Sequence, residues 1–201
     1  MGKPGEAKTS NGISRTSAAA QSQAAQFGAV WWVTAWFLLS APIVFWDSTY
    51  CFMRPRSMRG GDLHWIWKPY ALYQEIDLVY GEKALQENSG FTSAQAFMSI
   101  VETVLNLFYV YKVHVSPSST APLIGLCSAT MALSKTMLYW ASEYFCNYCA
   151  VGHNTMFNLV FLWMIPTGMW LVMPALIIVR LGGEVARQLQ VAALTPLSRR
   201  V

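Results

Sequence analysis

Glu102 stands inside the apolar run Ala96 to Val113, in the stretch MSIVETVLNLFYVY. An ionised carboxylate at the centre of a bilayer costs about 3 kcal/mol or more unless it faces an internal cavity or a partner. A carboxylic acid enclosed in apolar surroundings favours its neutral form, and can donate a proton to an alkene, enol or epoxide. Asn106 and Tyr109 follow at i+4 and i+7, which places one polar strip on one face of a helix. Lys135, Tyr139 and Glu143 repeat that spacing further along, so the lysine of LSKTMLYW is expected to point inward and reach Glu102 or Glu143. Glu102 is then either an acid or ligand-binding group, or one half of an ion pair with Lys135 that fixes helix register. Asn154 and Asn158 share the i, i+4 spacing before the last apolar block. Trp163 and Trp170 are i and i+7, where two ring faces would attract a developing cation by about 1–2 kcal/mol each, although core packing explains such rings equally well. Asp47 closes the first apolar block, either as part of the same site or as a solvated end residue.

Long apolar elements must hold these residues. The chain of 201 residues is 54% hydrophobic and 12% charged, where a soluble domain carries about 25% charged residues. Its apolar residues gather into Phe27 to Trp46, Ala96 to Val113, Leu123 to Ala141 and Met156 to Val179. A spanning helix needs about 20 residues, and these blocks are apolar nearly all round, unlike the striped helices of a soluble core. The expected fold is an all-α membrane protein: a four-helix transmembrane bundle over residues 27–185, with an aromatic-rich extramembrane loop, 51–94, between the first two helices. Residues 1–26 read as a disordered cytosolic tail, small and polar without an apolar face, and 186–201 as a basic C-terminal tail. The N-terminal segment lacks the pattern of a secretory signal, so the first helix is expected to remain as an anchor. Basic residues Lys3, Lys8, Arg15, Lys112, Arg180, Arg187, Arg199 and Arg200 favour cytosolic termini. Arg54, Arg56 and Arg59 oppose that orientation, but the acids of the loop balance its cations.

Within the loop, HWIWKPYALYQEIDLVYG concentrates Trp65, Trp67, Tyr70, Tyr73 and Tyr80. Such rings favour the headgroup level and form either an interfacial cap over the bundle or a gate to it. This segment, the VETVLN of the second helix, the LYWASEYF of the third and the TGMWLVMPALII of the fourth resemble the EXPERA-domain family. That family groups emopamil-binding sterol isomerases, the sigma-2 receptor and related lipid-handling proteins. The resemblance covers about residues 28 to 185, and WKPYALYQEIDLVYG with VETVLN is most similar to fungal members, several of which accompany biosynthetic genes. It implies a cavity between helices in which Glu102 and Asp47 take the catalytic acid positions and Trp170 the aromatic one. Where the isomerases carry His and Asn, this chain has Ile43 and Thr167, so a shuttle built on those groups is absent.

Two functions follow. One is a cofactor-free isomerase or cyclase, placed in the endoplasmic reticulum membrane, that moves protons on a sterol, terpenoid or polyketide-like molecule. Its site would comprise Glu102 and Asp47 with Asn106, Tyr109, Lys135, Tyr139, Glu143, Asn158, Trp163, Thr167 and Trp170. The other is a lipid-binding protein of the sigma-2 type with the same cavity and no chemistry. The expected partners are the hydrophobic small molecule and membrane lipid, with no nucleic acid. Small residues such as Gly125, Ser128 and Ala132 are compatible with a homodimer. No metal is expected: Cys146 and Cys149 form a C-x-x-C without a second pair, His153 alone does not complete a tetrahedral site, and a disulfide there is also disfavoured.

Overall fold

The first apolar block becomes α1, Trp31–Phe52. It runs past Asp47 because the following polar residues are covered, with Ser48 and Tyr50 wholly buried. A computed structural model describes residues 30–198, the last five by backbone alone. The 1–26 tail, Lys3, Lys8 and Arg15 included, lies outside the described residues, as do Arg199 and Arg200. After α1 come two short helices, α2 (Tyr70–Ile76) and α3 (Glu82–Gln86), then α4 (Phe91–His114) and α5 (Ala121–Phe145). The final element starts as α6 (Met156–Asn158), winds through a π-helical stretch over Leu159–Met164 and continues as α7 (Ile165–Ser198). Residues 186–198 are thus helical, where the sequence suggests a tail.

All regular structure among the described residues is helical. Three helices, Phe91–His114, Ala121–Phe145 and the continuous Met156–Ala193, are long and apolar enough to cross a membrane. This is consistent with an integral membrane protein. Large apolar side chains accordingly face outward, among them Phe97, Val104, Met137, Leu138, Val172 and Val179. The 22-residue α1 has the length, about 33 Å, but four tryptophans, Pro42 and Asp47 dilute its apolar character.

The long helices pack in series, α1 on α4, α4 on α5 and α5 on α7. One end of the bundle is closed by Val33 and Phe37 of α1, Tyr109 of α4, Ala129 of α5, and Ile177 and Leu181 of α7. Helices come close there because Gly125 has no side chain: a Cβ at that position would lie 2.6 Å from Leu181 Cδ1 and 2.7 Å from Tyr109 Cδ2. Both neighbours are 2% exposed and hemmed in. Gly125→Ala is therefore expected to destabilise the protein by about 1–3 kcal/mol through overpacking, read as a lower Tm of the detergent-solubilised protein. An unchanged Tm would show that this crossing yields freely.

At the other end the 53–90 connection folds over the bundle. Tyr50 stacks on Tyr70 at 4.1 Å, and Trp67, Tyr73 and Tyr80 pack around them. Trp67 and Tyr70 are buried, whereas Trp65 is exposed. The connection is tied to the turn between α5 and α6: Leu78 N donates to Ala150 O at 3.2 Å and Asn154 Nδ2 to Ile76 O at 2.7 Å.

Candidate functional site

A cavity of about 790 Å³ lies between this aromatic cap and the closed end. Its volume suits a small hydrophobic molecule. Leu39 and Ile43 of α1 and Met169 of α7 line it while also standing exposed on the outer surface. Its lower limit is marked by Trp36 and Trp170, whose rings meet edge to face at 4.8 Å. α4 and α5 form the polar wall, and the cap contributes Asp47 with three tyrosines.

Asp47 projects from the last part of α1 into the cap. Tyr70 donates a short hydrogen bond to its Oδ1, and Tyr80 donates to Oδ2 at 3.4 Å. Burial, then the neighbouring carboxylate, holds both phenols protonated and well above the ordinary tyrosine range. They are thus fixed as donors. One carboxyl with two phenolic donors, opening on an apolar cavity, can exchange a proton with a bound molecule.

Glu102 and Lys135 face one another from α4 and α5. Lys135 Nζ lies 3.0 Å from Glu102 Oε2 and donates to Ser99 Oγ at 2.5 Å. The side chains retain 12% and 18% exposure, and both line the cavity. The ammonium meets Oε2 at ionic-contact distance but without hydrogen-bond alignment, so this oxygen has no hydrogen-bond donor. Of the two roles open to Glu102, the geometry shows the ion pair. The cavity therefore contains a fixed cation beside an acid.

A third carboxyl, Asp77, belongs by sequence only to the acids that balance the cations of the loop. It is wholly buried. Tyr139 donates a short bond to Oδ2, Trp163 Nε1 donates to the same oxygen at 2.9 Å, and Val79 N donates to Oδ1 at 3.2 Å. Burial pushes its carboxyl up to about 7, against the lowering effect of the Trp163 and Val79 donors. Asp77 thereby pins the cap to α5 and to the π-helical stretch. Its only signal in the sequence is an acid set among Ile76, Leu78 and Val79.

No family model matches the chain, and neither a curated protein nor a solved structure matches it. The chemistry must therefore be argued from the cavity's own residues. Of the sequence-derived candidates, Asp47, Glu102, Lys135, Tyr139, Thr167 and Trp170 line it together. Asn106, Tyr109, Glu143, Asn158 and Trp163 do not. Asn106 lies deeper on the face of Glu102 and accepts from Ser128 Oγ at 2.7 Å. Tyr109 packs edge to face on Phe37 at 5.2 Å in the closed end. Glu143 accepts from Ala150 N at 3.1 Å beneath the α5–α6 turn. Asn158 is an early residue of the last helix, with its backbone N donating to Thr155 Oγ1 at 3.3 Å. Trp163 turns away from Trp170 to Asp77 and Trp140, its ring 4.9 Å from the latter. The π-helical turn adds a residue to the helix repeat and so breaks the i, i+7 alignment.

Cys146 and Cys149 are joined in a disulfide, which the sequence reading disfavours. Asn147 and Tyr148 take left-handed backbone, φ 59° and 58°, and curl the chain so that the two Cα atoms are 5.4 Å apart. Glu143 Oε, Cys146 Sγ and Cys149 Sγ lie within 4.8 Å of one another. Both sulfurs are used by the disulfide and Glu143 by Ala150 N, so this group is a structural clasp.

Proposed function

We propose that this protein is a membrane-embedded isomerase or cyclase that works by proton transfer on a hydrophobic small molecule and needs no cofactor. The observation that supports it is the cavity of about 790 Å³ whose largely apolar walls expose two carboxyl groups, Asp47 and Glu102, in different settings. Asp47, held by phenols, is the group placed to give and take a proton; Glu102 is engaged by the Lys135 ammonium. Paired carboxyls in unlike environments are how one site separates acid from base roles. The EXPERA resemblance of the sequence takes in both isomerases and lipid-binding proteins, and Ile43 and Thr167 stand where the isomerases carry His and Asn.

In this reading α1 crosses the membrane with the other three long helices, giving four spans with both termini on one side. A disulfide between Cys146 and Cys149 suits an oxidising compartment, and in this reading the capped end faces the lumen of the endoplasmic reticulum with the termini cytosolic.

A second reading draws on the Glu102–Lys135 pair. An acid already neutralised by a lysine suits a cavity that only holds lipid, as in a sigma-2-type binding protein. The test is the small-molecule profile of host cells expressing wild type, Glu102→Gln or Asp47→Asn at matched protein abundance. The proposal expects an isomeric or uncyclised precursor to accumulate in the variants. An unchanged profile with retained lipid binding would leave the binding reading.

A further inference from the structure

The two sides of the cavity differ in chemistry. Toward α1 and α7 hydrocarbon and indole predominate, including Leu39, Ile43, Met169 and Trp170; Ser40 and Thr167 there donate to their own helix backbone, and Asp47 stands at the capped end. Toward α4 and α5 it carries Gln95, Ser99, Glu102, Lys135, Thr136 and Tyr139. A wholly hydrocarbon ligand would desolvate that second wall without replacing its hydrogen bonds, at a cost for each polar group left unpaired. The ligand therefore has oxygen on one edge.

Lys135 sets the sign of the charge that this edge can bear. Its ammonium has three N–H donors; among the described residues one goes to Ser99 Oγ at 2.5 Å, while Glu102 Oε2 lies at 3.0 Å as an ionic contact. At least one donor remains for a ligand. A fixed cation on a low-dielectric wall stabilises negative charge developing on a nearby oxygen and opposes positive charge on a nearby carbon. Alkene protonation beside this wall is disfavoured for that reason, and enolate formation is favoured.

We infer that the ligand is an apolar β,γ-unsaturated carbonyl compound with an acidic C–H between the two π systems, bound with its carbonyl oxygen on Lys135 Nζ so that the ammonium holds the dienolate oxygen during proton transfer. This rests on the proton-transfer reading above and narrows its substrate class. The ionised Asp47 carboxyl takes a proton from the carbon next to the carbonyl. The C–H electron pair becomes a C=C bond, and the C=O π pair moves onto oxygen, opposite the Lys135 ammonium. Asp47 then returns the proton to the γ carbon: the former β,γ C=C pair becomes the new C–H bond, the enol C=C pair shifts to the α,β position, and the oxygen pair re-forms the carbonyl. The product is an isomer with its double bond moved, and no proton or electron is gained or lost. Glu102 acts as a positioning residue that orients the lysine.

The test uses the full chain in detergent micelles and a 2-naphthol carrying a short alkyl chain, whose ionised and neutral forms absorb at different wavelengths. At fixed pH the wild-type protein is expected to bind this probe saturably, with a naphtholate-to-naphthol ratio at least about tenfold above that in protein-free micelles, equivalent to one pKa unit of the probe. Lys135→Met should return the ratio to the micelle value. Glu102→Gln, which removes the competing anion, should keep or raise it. The double variant Lys135→Met/Glu102→Gln removes both charges and covers the case in which Lys135→Met alone does not fold; it too should lose the ionised form. Neutral bound probe in wild type, the same ratio in wild type and the lysine variants, or no saturable binding overturns the inference. If the probe stays neutral while Asp47→Asn alters the cellular profile, the proton-transfer reading stands and this substrate class fails. If the probe ionises while the profile does not respond, the oxyanion site stands and the enzyme reading fails.

Discussion

Asp47→Asn is expected to lower turnover by about 10²- to 10⁴-fold, the range for removing a positioned general acid or base. The amide keeps the size of the carboxyl and can still accept from Tyr70 or Tyr80, which hold Asp47 in the native cavity. It cannot carry a proton between two carbons of the substrate. KM should change far less than kcat, because the cavity that binds the hydrocarbon is untouched. The measurement is the rate of product formation in membranes containing equal amounts of each protein. A rate within about threefold of wild type would remove Asp47 from the chemistry, since a proton carrier cannot be lost so cheaply.

Asp77→Ala is expected to have the largest effect on stability. Three buried donors, the Tyr139 hydroxyl, the Trp163 indole N–H and the Val79 amide, would lose their acceptor together. Each unpaired buried polar group costs about 1–3 kcal/mol, so a loss of several kcal/mol and a Tm lower by many degrees should follow. A variant as stable as wild type would mean that the cap does not depend on this hub. The same carboxyl gives a pH dependence. Its folded-state value is raised to about 7 from the ordinary aspartate value of 3.8, so between these limits the folded state binds more protons than the unfolded chain. Its contribution is therefore fully present below about pH 4 and is lost as pH rises through about 7, by an amount on the order of 4 kcal/mol. Asp77→Asn, which does not titrate, should flatten that part of the curve of Tm against pH. A curve of unaltered slope would assign the dependence to another group.

The closed end and the capped end make unequal demands on the sequence. Gly125, Val33, Phe37 and Tyr109 pack by shape, so substitutions there are read as changes in stability. At the capped end, buried carboxyls and phenols must be matched to one another, so substitutions there alter stability, proton exchange or both. Asp47 and Asp77 show the division within one region. The first opens on the cavity, while the second is sealed behind Tyr139 and Trp163.

By itself the sequence determined the helices, the apolar character that suits a membrane and the faces on which polar residues fall. These are local properties: the 3.6-residue period, block length and composition place Glu102 with Asn106, and Lys135 with Tyr139, before any helix meets another. Only the tertiary structure decided which of these residues share a cavity. Glu102 and Asn106 lie on one face, yet only Glu102 reaches the space, because the helices converge below it around Ser128 and Gly125. Trp163 and Trp170 are in step by count but part company at a π-helical turn. Asp77 is buried by its contacts with Tyr139 and Trp163, 62 and 86 residues further on, and the Cys146–Cys149 clasp is closed by the left-handed backbone of Asn147 and Tyr148. The pattern of polarity along a helix tells which way a side chain points. How deep it lies, and what stands opposite, is fixed by packing between segments distant in the chain.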